Sequence, residues 1–278
     1  MDIRMLGTVD RTQVEDLSRR SARAVPYKQV VCARVLSKYN LMLNTRDLSV
    51  AMPIALDGYW EMWMTQCVIR NVEAGWKAID VGASFGYYTL LLADLVGPRG
   101  EVEAWEPNPE LVAILSLSLR LNGDLGKRVL QRPQAASRGR GTAAFCVPRG
   151  SNLGGASLVR ATDPKATMHV EIDRLDHTQL DHVDFIKIDA EGHEPEIWEG
   201  MSGLLDRGEP KAIMMEFTAS AYPDARGFLK TIEGSGFEIS EVASSGLLEN
   251  VDLGKLAECR DWTPIWLSRA RKMQAQVP

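Results

Sequence analysis

The chain has 278 residues, of which 45% are hydrophobic, so it can bury a substantial core in one large α/β domain or two small ones. Its formal net charge is −5 and its lysines and arginines are dispersed, which argues against a nucleic-acid partner. No apolar run approaches the roughly 20 residues of a membrane helix, and the residues after Met1 lack a secretory signal. We therefore expect a cytoplasmic protein with no membrane partner.

The N-terminal segment, residues 1–57, is predicted to form a helical extension with a small hairpin. Apolar residues recur at helical spacing up to about Tyr39, with an interruption at Pro26, and this pattern predicts two helices. From Leu41 to Leu56 the pattern becomes extended and predicts a hairpin. We expect this extension either to determine substrate specificity or to form a homo-oligomer contact through its helices.

The most informative stretch runs from Ala78 to Ala93, where a short apolar strand leads through a turn into a helix. Gly82 and Gly86 free the backbone of this turn, and the N–H groups at the helix start favour electron-rich ligand atoms. A dinucleotide site has the pattern G-x-G-x-x-G, but Ala83 and Ser84 stand where its second glycine would lie. The turn therefore favours a nucleoside without a pyrophosphate.

The next predicted strand, from Glu101 to Glu106, ends in an acid. A carboxylate at this place can accept two hydrogen bonds from a ribose diol. A nucleoside ligand without a pyrophosphate describes S-adenosylmethionine. An NAD-dependent oxidoreductase is the alternative, because it also needs a βαβ unit and a ribose acid, although the Gly82-x-x-x-Gly86 spacing serves it poorly.

Strands and helices alternate along the rest of the chain, which predicts a mostly parallel sheet covered on both faces. The fold class is α/β, doubly wound, with a seven-stranded sheet, and residues 58–278 form one domain. A glycine- and serine-rich excursion at about 139–173 is either a merely flexible loop or a lid over the site, and we favour the lid. The remaining predicted strands are Arg128–Pro133, Thr142–Val147, Thr167–Ile172, Val183–Asp189, Ala212–Phe217, Phe237–Val242 and Thr263–Ser268.

Five blocks in this order resemble the FkbM family of S-adenosylmethionine-dependent methyltransferases, which have the Rossmann-like class I fold. The blocks are Trp60-Glu61, Asp80–Gly86, Glu106–Pro109, Leu121–Gly123 and Asp184–Glu194. The resemblance covers roughly Gly58 to Arg269. It implies S-adenosylmethionine as cofactor and O-methylation of a hydroxyl on a small-molecule acceptor, a natural product or a saccharide. N-methylation on the same fold remains an alternative.

The resemblance also implies a set of cofactor-binding residues. In the family, the acid at Glu61 sits near the methionine end of the cofactor, where a carboxylate can pair with the ammonium group. The segment around Ala135 lies where related enzymes contact the adenine, and because it has no acid, Gln134 or a backbone group must serve. The candidates are Glu61, Asp80, Gly82, Ala83, Ser84, Gly86, Glu106, Pro107, Asn108, Ala135 and Asp189.

Catalytic candidates cluster after the strand that ends at Asp189, with Glu191 and His193 in the same turn. His193, with an unperturbed pKa of about 6.5, could take the acceptor proton, contact substrate or lid, or be structural. Asp189 and Glu191, with Glu216 at the end of the next strand, could supply oxygen ligands for Mg²⁺. The alternative is that these acids only bind the cofactor and order water.

Overall fold

The computed structural model describes residues 2–147, 157–158 and 167–269. The strands in this part of the chain are β1 (Ala24–Tyr27), β2 (Val30–Val35), β3 (Tyr39–Asn44), β4 (Lys77–Val81), β5 (Glu101–Trp105), β6 (Val129–Arg132), β7 (Ala135–Ala136), β8 (Gly141–Cys146), β9 (Thr167–Asp173), β10 (Phe185–Ile188), β11 (Ala212–Phe217), β12 (Phe237–Val242), β13 (Leu248–Asn250) and β14 (Thr263–Arg269). The α-helices there are α1 (Arg11–Ser21), α2 (Ala51–Asp57), α3 (Met62–Asn71), α4 (Tyr87–Leu95), α5 (Pro109–Leu121), α6 (Glu194–Glu199), α7 (Ser202–Asp206), α8 (Ala225–Gly234) and α9 (Leu253–Leu256).

The largest sheet has eight strands in the order β13-β12-β14-β11-β10-β4-β5-β6. Strands β11, β10, β4, β5 and β6 are parallel neighbours, whereas β14 runs antiparallel to both β11 and β12. The chain moves outward from β4 through β5 to β6 and then returns to β10, so the topological switch point lies between β4 and β10. The predicted doubly wound α/β fold is confirmed, and β13 adds a short edge strand to the seven predicted ones.

The central strands are apolar because both faces of the sheet are covered. In β10, Phe185 packs into the core on one face, whereas Ile186 and Ile188 pack into the core on the other. In β4, Ala78 and Ile79 divide between the faces in the same way. This burial on both sides is typical of parallel strands between helical layers.

Part of the prediction for the N-terminal segment is wrong. The first helix exists as α1, but the second predicted helix is β2, and the second half of the predicted hairpin Leu41–Leu56 is occupied by α2. Val31, Ala33 and Val35 alternate inward, because β2 pairs antiparallel with β3 and buries one face.

A buried acid explains where α2 begins. The Asp47 carboxylate accepts the N–H groups of Ser49, Val50 and Ala51, at 3.1, 2.7 and 3.1 Å. These groups have no partners within a helix, so capping by an aspartate favours a helix after this point rather than a strand.

The N-terminal segment packs on the α/β core instead of standing apart from it. Ile3, Leu6 and Val14 belong to the same buried cluster as residues of α4 and β4. The Arg4 guanidinium donates to the carbonyls of Val72 and Leu95, at 3.1 and 2.9 Å. This packing brings residues 49–63 over the carboxyl ends of the sheet strands.

Much of the predicted lid, residues 148–156 and 159–166, lies outside the described residues. The strands that flank it, β8 and β9, pair antiparallel as predicted. Ser157 forms a β-bridge with Cys146, and Leu158 lines the cleft described below.

The described helices include none that is long and apolar enough to cross a membrane.

Candidate active site

The carboxyl ends of β4, β5, β10 and β11 open into a cleft of about 580 Å³. Ligands of open α/β sheets bind at this edge, next to the switch point. The charged side chains that line it, within the described residues, are seven acids and one lysine: Asp57, Glu61, Asp80, Glu106, Asp189, Glu191, Glu216 and Lys187. The cleft is therefore strongly acidic.

The turn after β4 depends on glycine. Gly82 has φ of +76°, and a Cβ there would lie 2.0 Å from the carbonyl oxygen of Asp189, so no other residue lets β4 and β10 end side by side. Gly86 has φ of +93° and precedes α4. Gly82, Ala83 and Ser84 line the cleft, whereas Gly86 is not among the lining residues and shapes the turn.

Glu106 connects the turn after β4 to the loop after β5. Its carboxylate accepts the N–H of Ser84 at 2.9 Å and the N–H of Asn108 at 2.8 Å. Burial raises the pKa of Glu106 to about 7 in spite of these donors. A carboxylate has room for about four hydrogen bonds, so Glu106 can still accept from a ligand.

Of the other predicted cofactor-binding residues near Glu106, some line the cleft and others stabilise the loops around it. Pro107 lines the cleft, whereas Asn108 is a helix cap whose side chain accepts the N–H of Glu110 at 3.0 Å. The Ser84 hydroxyl is buried and has no hydrogen-bond partner within the described residues. It lies at the cleft, where a bound polar group would satisfy it.

A buried lysine at the centre of the site was missed by the sequence analysis. The Lys187 ammonium lies 3.1 Å from an Asp189 oxygen, 3.9 Å from an Asp80 oxygen and 5.1 Å from the centre of the Tyr88 ring. Burial alone would lower the pKa of Lys187, but Asp189 and Asp80 raise it above its ordinary value. A lysine inside the apolar strand Phe185–Ile188 was the available signal, because a buried ammonium needs anionic neighbours.

The two aspartates beside Lys187 differ in their surroundings. Asp80 is fully buried, accepts a hydrogen bond from the Thr89 hydroxyl at 2.6 Å, and has its pKa raised by burial. Asp189 has a side chain that is 38% exposed. Burial acts to raise its pKa, but Lys187 and a hydrogen bond with Glu216 lower it. Asp189 is therefore the ionised carboxylate that a ligand in the cleft can reach.

Glu61 stands at the start of α3 in the left-handed region, with φ of +39°. This conformation is strained for a residue with a side chain, and such strain is frequent at functional sites. The Tyr88 hydroxyl lies 3.5 Å from a Glu61 oxygen. Burial and the neighbouring Asp189 charge raise the pKa of Glu61 to about 7.

The proposed metal ligands do not form a cation site. Burial and Asp189 raise the pKa of Glu216, so that it shares a proton with Asp189, and the charge of Asp189 is already opposed by Lys187. Among the described residues, no group of three or more His, Cys, Asp or Glu side chains could hold a metal. The arrangement of Asp189, Glu191 and Glu216 thus gives Mg²⁺ no support.

His193 lines the cleft at the N-terminal end of α6. Its Nε2 lies 2.9 Å from the Ser137 hydroxyl, and its Nδ1 lies 3.6 Å from a Glu196 oxygen. Burial lowers the pKa of His193, so the ring is neutral at pH 7. Both ring nitrogens have neighbours within the protein, and a base role for His193 remains a prediction.

The turn between Asp189 and α6 is held by Glu194. Its carboxylate accepts the N–H of Ala190 at 2.9 Å and the hydroxyl proton of Tyr222 at 3.0 Å. Burial raises the pKa of Glu194 to about 7. Glu191, in the same turn, has φ of +53° and lines the cleft.

The predicted adenine end is apolar. Ala135 and Ala136 line the cleft, whereas the side chain of Gln134 is bonded to Glu171 at 3.1 Å and to Arg132 at 3.1 Å. Of the two options for the adenine amino group, this geometry favours a backbone group over Gln134.

Two tryptophans, Trp63 in α3 and Trp262 directly before β14, line the cleft. The rings of Trp63 and Trp262 are stacked, with centres 6.4 Å apart and planes 23° apart, and the Arg11 guanidinium lies 5.3 Å from the centre of Trp63. Trp262 is 40% exposed. Sequence reasoning missed Trp262, because only the folding of the whole sheet brings the start of β14 next to α3.

A comparison with protein families identifies the chain. The model of the methyltransferase FkbM domain matches residues 80–239, which include the glycine turn, Glu106 and the Asp189 turn and make up more than half of the chain. The chain belongs to the FkbM methyltransferase family.

Individual relatives of this FkbM family member are distant. A stretch of 53 residues is 38% identical to the protein-L-isoaspartate O-methyltransferase of Methanothrix thermoacetophila, and it covers 19% of this chain and 25% of that protein. The chain thus spans a quarter of the curated relative that it matches.

Solved structures resemble the FkbM chain weakly. The methyltransferase FkbM of Methylobacillus flagellatus is 17% identical with a TM-score of 0.46, over 69% of this chain and 43% of that one. Fibrillarin of Aeropyrum pernix, solved with natively bound S-adenosyl-L-methionine, is 13% identical with a TM-score of 0.44, over 88% and 99%. The fold assignment rests on the sheet order and the family match, not on these scores.

Proposed function

We propose that this FkbM family methyltransferase uses S-adenosylmethionine to methylate a hydroxyl group of a small molecule. The observation that carries the proposal is the meeting of the Gly82–Ser84 turn with Glu106 in one acidic cleft at the switch point. The family match supports methyl transfer. The O-methyl specificity rests on the resemblance and on Asp189, which can orient a hydroxyl.

The residues present fit the cofactor. The free capacity of Glu106 suits the ribose diol, Glu61 suits the ammonium group, and the backbone at Ala135 and Ala136 suits the adenine. The Ser84 hydroxyl, buried without a partner in the described structure, is open to a hydrogen bond with a polar group of the ligand. Carboxylates also favour S-adenosylmethionine, because its sulfonium and ammonium charges outnumber its one carboxylate.

The same charges disfavour the alternative cofactor. NAD carries a pyrophosphate, whereas the one lysine that lines the cleft in the described residues already shares its charge between Asp80 and Asp189. A pyrophosphate in this cleft would be repelled and would find few donors. The acidic cleft therefore favours S-adenosylmethionine over NAD.

When bound, the cofactor supplies a methyl carbon that is already activated. The protein must align the acceptor and exclude water, and proximity of this kind accounts for a large share of many barriers. Asp189, ionised beside Lys187 and open to the cleft, can accept a hydrogen bond from the acceptor hydroxyl and fix its direction. Because its pKa is low, Asp189 orients the hydroxyl but does not keep its proton, which goes to solvent when the product leaves.

Isothermal titration calorimetry tests the cofactor half of the proposal. We expect S-adenosylmethionine and S-adenosylhomocysteine to bind the folded protein with one-to-one stoichiometry and NAD to show no heat of binding. Bound NAD, or folded protein with no heat for either adenosyl compound, would contradict the proposal.

A further inference from the structure

We infer that the methyl acceptor is a hydroxylated compound with a flat, apolar ring and no anionic group, seated on the aromatic wall of the cleft. The aromatic wall consists of Val50, Pro53, Ile54, Trp60, Trp63 and Trp262. The inference rests on the proposed function, because it names the substrate class of the same site.

The aromatic wall adjoins the place proposed for the methionine end of the cofactor. Trp60 directly precedes Glu61, and both line the cleft. Ala135 and Ala136, which also line the cleft, are assigned to the adenine. An acceptor must lie beside the methionine end to reach the methyl group, and the wall contributes surface next to Glu61.

The wall offers ring contacts and few polar ones. The Trp63 ring is held by contacts with Arg11 and Trp262, so the stack is formed before a ligand arrives. Trp262 lines the cleft and still exposes 40% of its surface, which leaves ring area for a ligand to cover. Offset stacking on such an aromatic surface favours a flat ring.

Saccharides fit this wall less well. Its six side chains carry no carboxylate, amide or hydroxyl group, although Ser49, Asp57 and Tyr59 line the cleft between them. Sugar hydroxyls that face the rings would lose hydrogen bonds to water, and only these flanking groups could replace them. Asp189, which is ionised beside Lys187 and open to the cleft, adds a second filter, because it would repel a carboxylated or phosphorylated acceptor.

The test uses three probes on protein saturated with S-adenosylhomocysteine, with binding followed by calorimetry. The probes are 2-naphthol, 6-hydroxy-2-naphthoate as the same ring with an anionic group, and methyl β-glucoside as a neutral sugar. We expect 2-naphthol to bind roughly tenfold more tightly than either, since ring burial favours it and charge opposes the naphthoate.

Variants locate the binding. Trp262→Ala should weaken 2-naphthol binding by roughly tenfold, and Trp262→Phe, which keeps a ring, should recover most of it. Leu121→Ala is the matched control, because Leu121 is 49% exposed at the end of α5 and is not among the cleft residues. This control should leave the affinity for 2-naphthol unchanged.

The inference would be overturned if the glucoside bound more tightly than 2-naphthol, or if the naphthoate bound as tightly as 2-naphthol. An unchanged affinity of Trp262→Ala for 2-naphthol would also overturn it. The affinity for S-adenosylhomocysteine alone is measured in the same variants and reports on the proposed function. Normal cofactor binding with no naphthol binding would overturn only the acceptor class. Absent cofactor binding would overturn the proposed function, and titration of 2-naphthol into the free protein would then judge the wall separately.

Discussion

At the scale of single residues, Glu106 is a joint between two loops as well as a proposed ribose acceptor. We expect Glu106→Ala to weaken S-adenosylhomocysteine binding by about 1.5–3 kcal/mol, the range for charge-assisted hydrogen bonds. Glu106→Gln should be milder because the amide keeps one acceptor oxygen. Calorimetry measures both, with Glu101→Ala, an exposed acid at the opposite end of the same strand, as control. Unchanged affinity in folded Glu106→Ala would place the ribose elsewhere.

Asp189 and His193 stand in the same turn but have different environments. Asp189 is ionised beside Lys187 and reachable, whereas the nitrogens of His193 face Ser137 and Glu196. Once an acceptor is known, we expect Asp189→Asn to lower turnover by roughly 10²-fold, on the scale of proton-handling groups. His193→Ala should lower it by less than about tenfold.

Steady-state assays across pH separate the two roles. If His193→Ala lowered turnover by about 10²-fold and also removed the pH dependence near neutrality, the histidine would be the general base. Treatment with EDTA should leave the activity of the native protein unchanged, since the acids around Asp189 are already occupied by Lys187 and by a shared proton.

At the scale of elements, the β4–α4 unit depends on one glycine. In Gly82→Ala, a Cβ would lie 2.0 Å from the Asp189 carbonyl oxygen, and the backbone would keep a left-handed conformation that costs about 1–2 kcal/mol. Gly75→Ala is the control, because Gly75 has a similar φ of +88° but nothing within 4 Å of the added Cβ.

Urea unfolding should show the difference between these two glycines. We expect Gly75→Ala to lower the free energy of unfolding by about 1 kcal/mol and Gly82→Ala to lower it by clearly more. Equal losses of unfolding free energy in the two variants would show that β10 can move away from the added Cβ of residue 82 at no cost in free energy.

Elements that repeat a clear pattern were predictable from the sequence, and elements fixed by distant partners were not. Val81 and its neighbours form an apolar run before a glycine, which defines a βα unit without tertiary information. Val31 and Val35, four residues apart, fit both a helical and an extended spacing, and the pairing of β2 with β3 decides between them. The Trp63–Trp262 stack depends on the position of β14, which no local pattern contains.

At the scale of the whole molecule, the fold concentrates buried acids at one edge of the sheet. Lys187 and Asp80 are opposite each other in the β4–β10 register, so the parallel pairing itself brings the ammonium next to the aspartates. The sequence revealed the acids individually but not this lysine between them. The free protein therefore carries unfavourable carboxylate burial, which a cationic ligand would relieve.

This burial makes a prediction about stability and pH. The pKa values of Glu61, Glu106 and Glu194 are raised to about 7, from an ordinary value of 4.5. Between these two values the folded state binds protons that the unfolded state has released. Each such group then lowers the free energy of unfolding by about 1.4 kcal/mol per pH unit as pH rises. Their stabilising contribution is complete below pH 4.5 and is lost through pH 7.

Other titrating groups also change the stability over this pH range, but they do not reverse the sign of the pH dependence. His193 has a lowered pKa, so it favours folding as pH rises, but it is one group against three. Asp80 and Glu216 have raised pKa values and act in the same direction as the three glutamates. We therefore expect the Tm of the free protein to fall between about pH 4.5 and 7, as measured by circular dichroism.

Two comparisons assign the slope of Tm against pH to particular residues. Saturation with S-adenosylhomocysteine should flatten it, because the ligand favours the ionised forms of Glu61 and Glu106. Glu194→Gln should flatten it with or without the ligand, since Glu194 holds the turn before α6 and is not among the residues that line the cleft. A Tm that rises across this window would show that the glutamates are ionised in the folded protein, and the cleft would then hold its charges without a ligand.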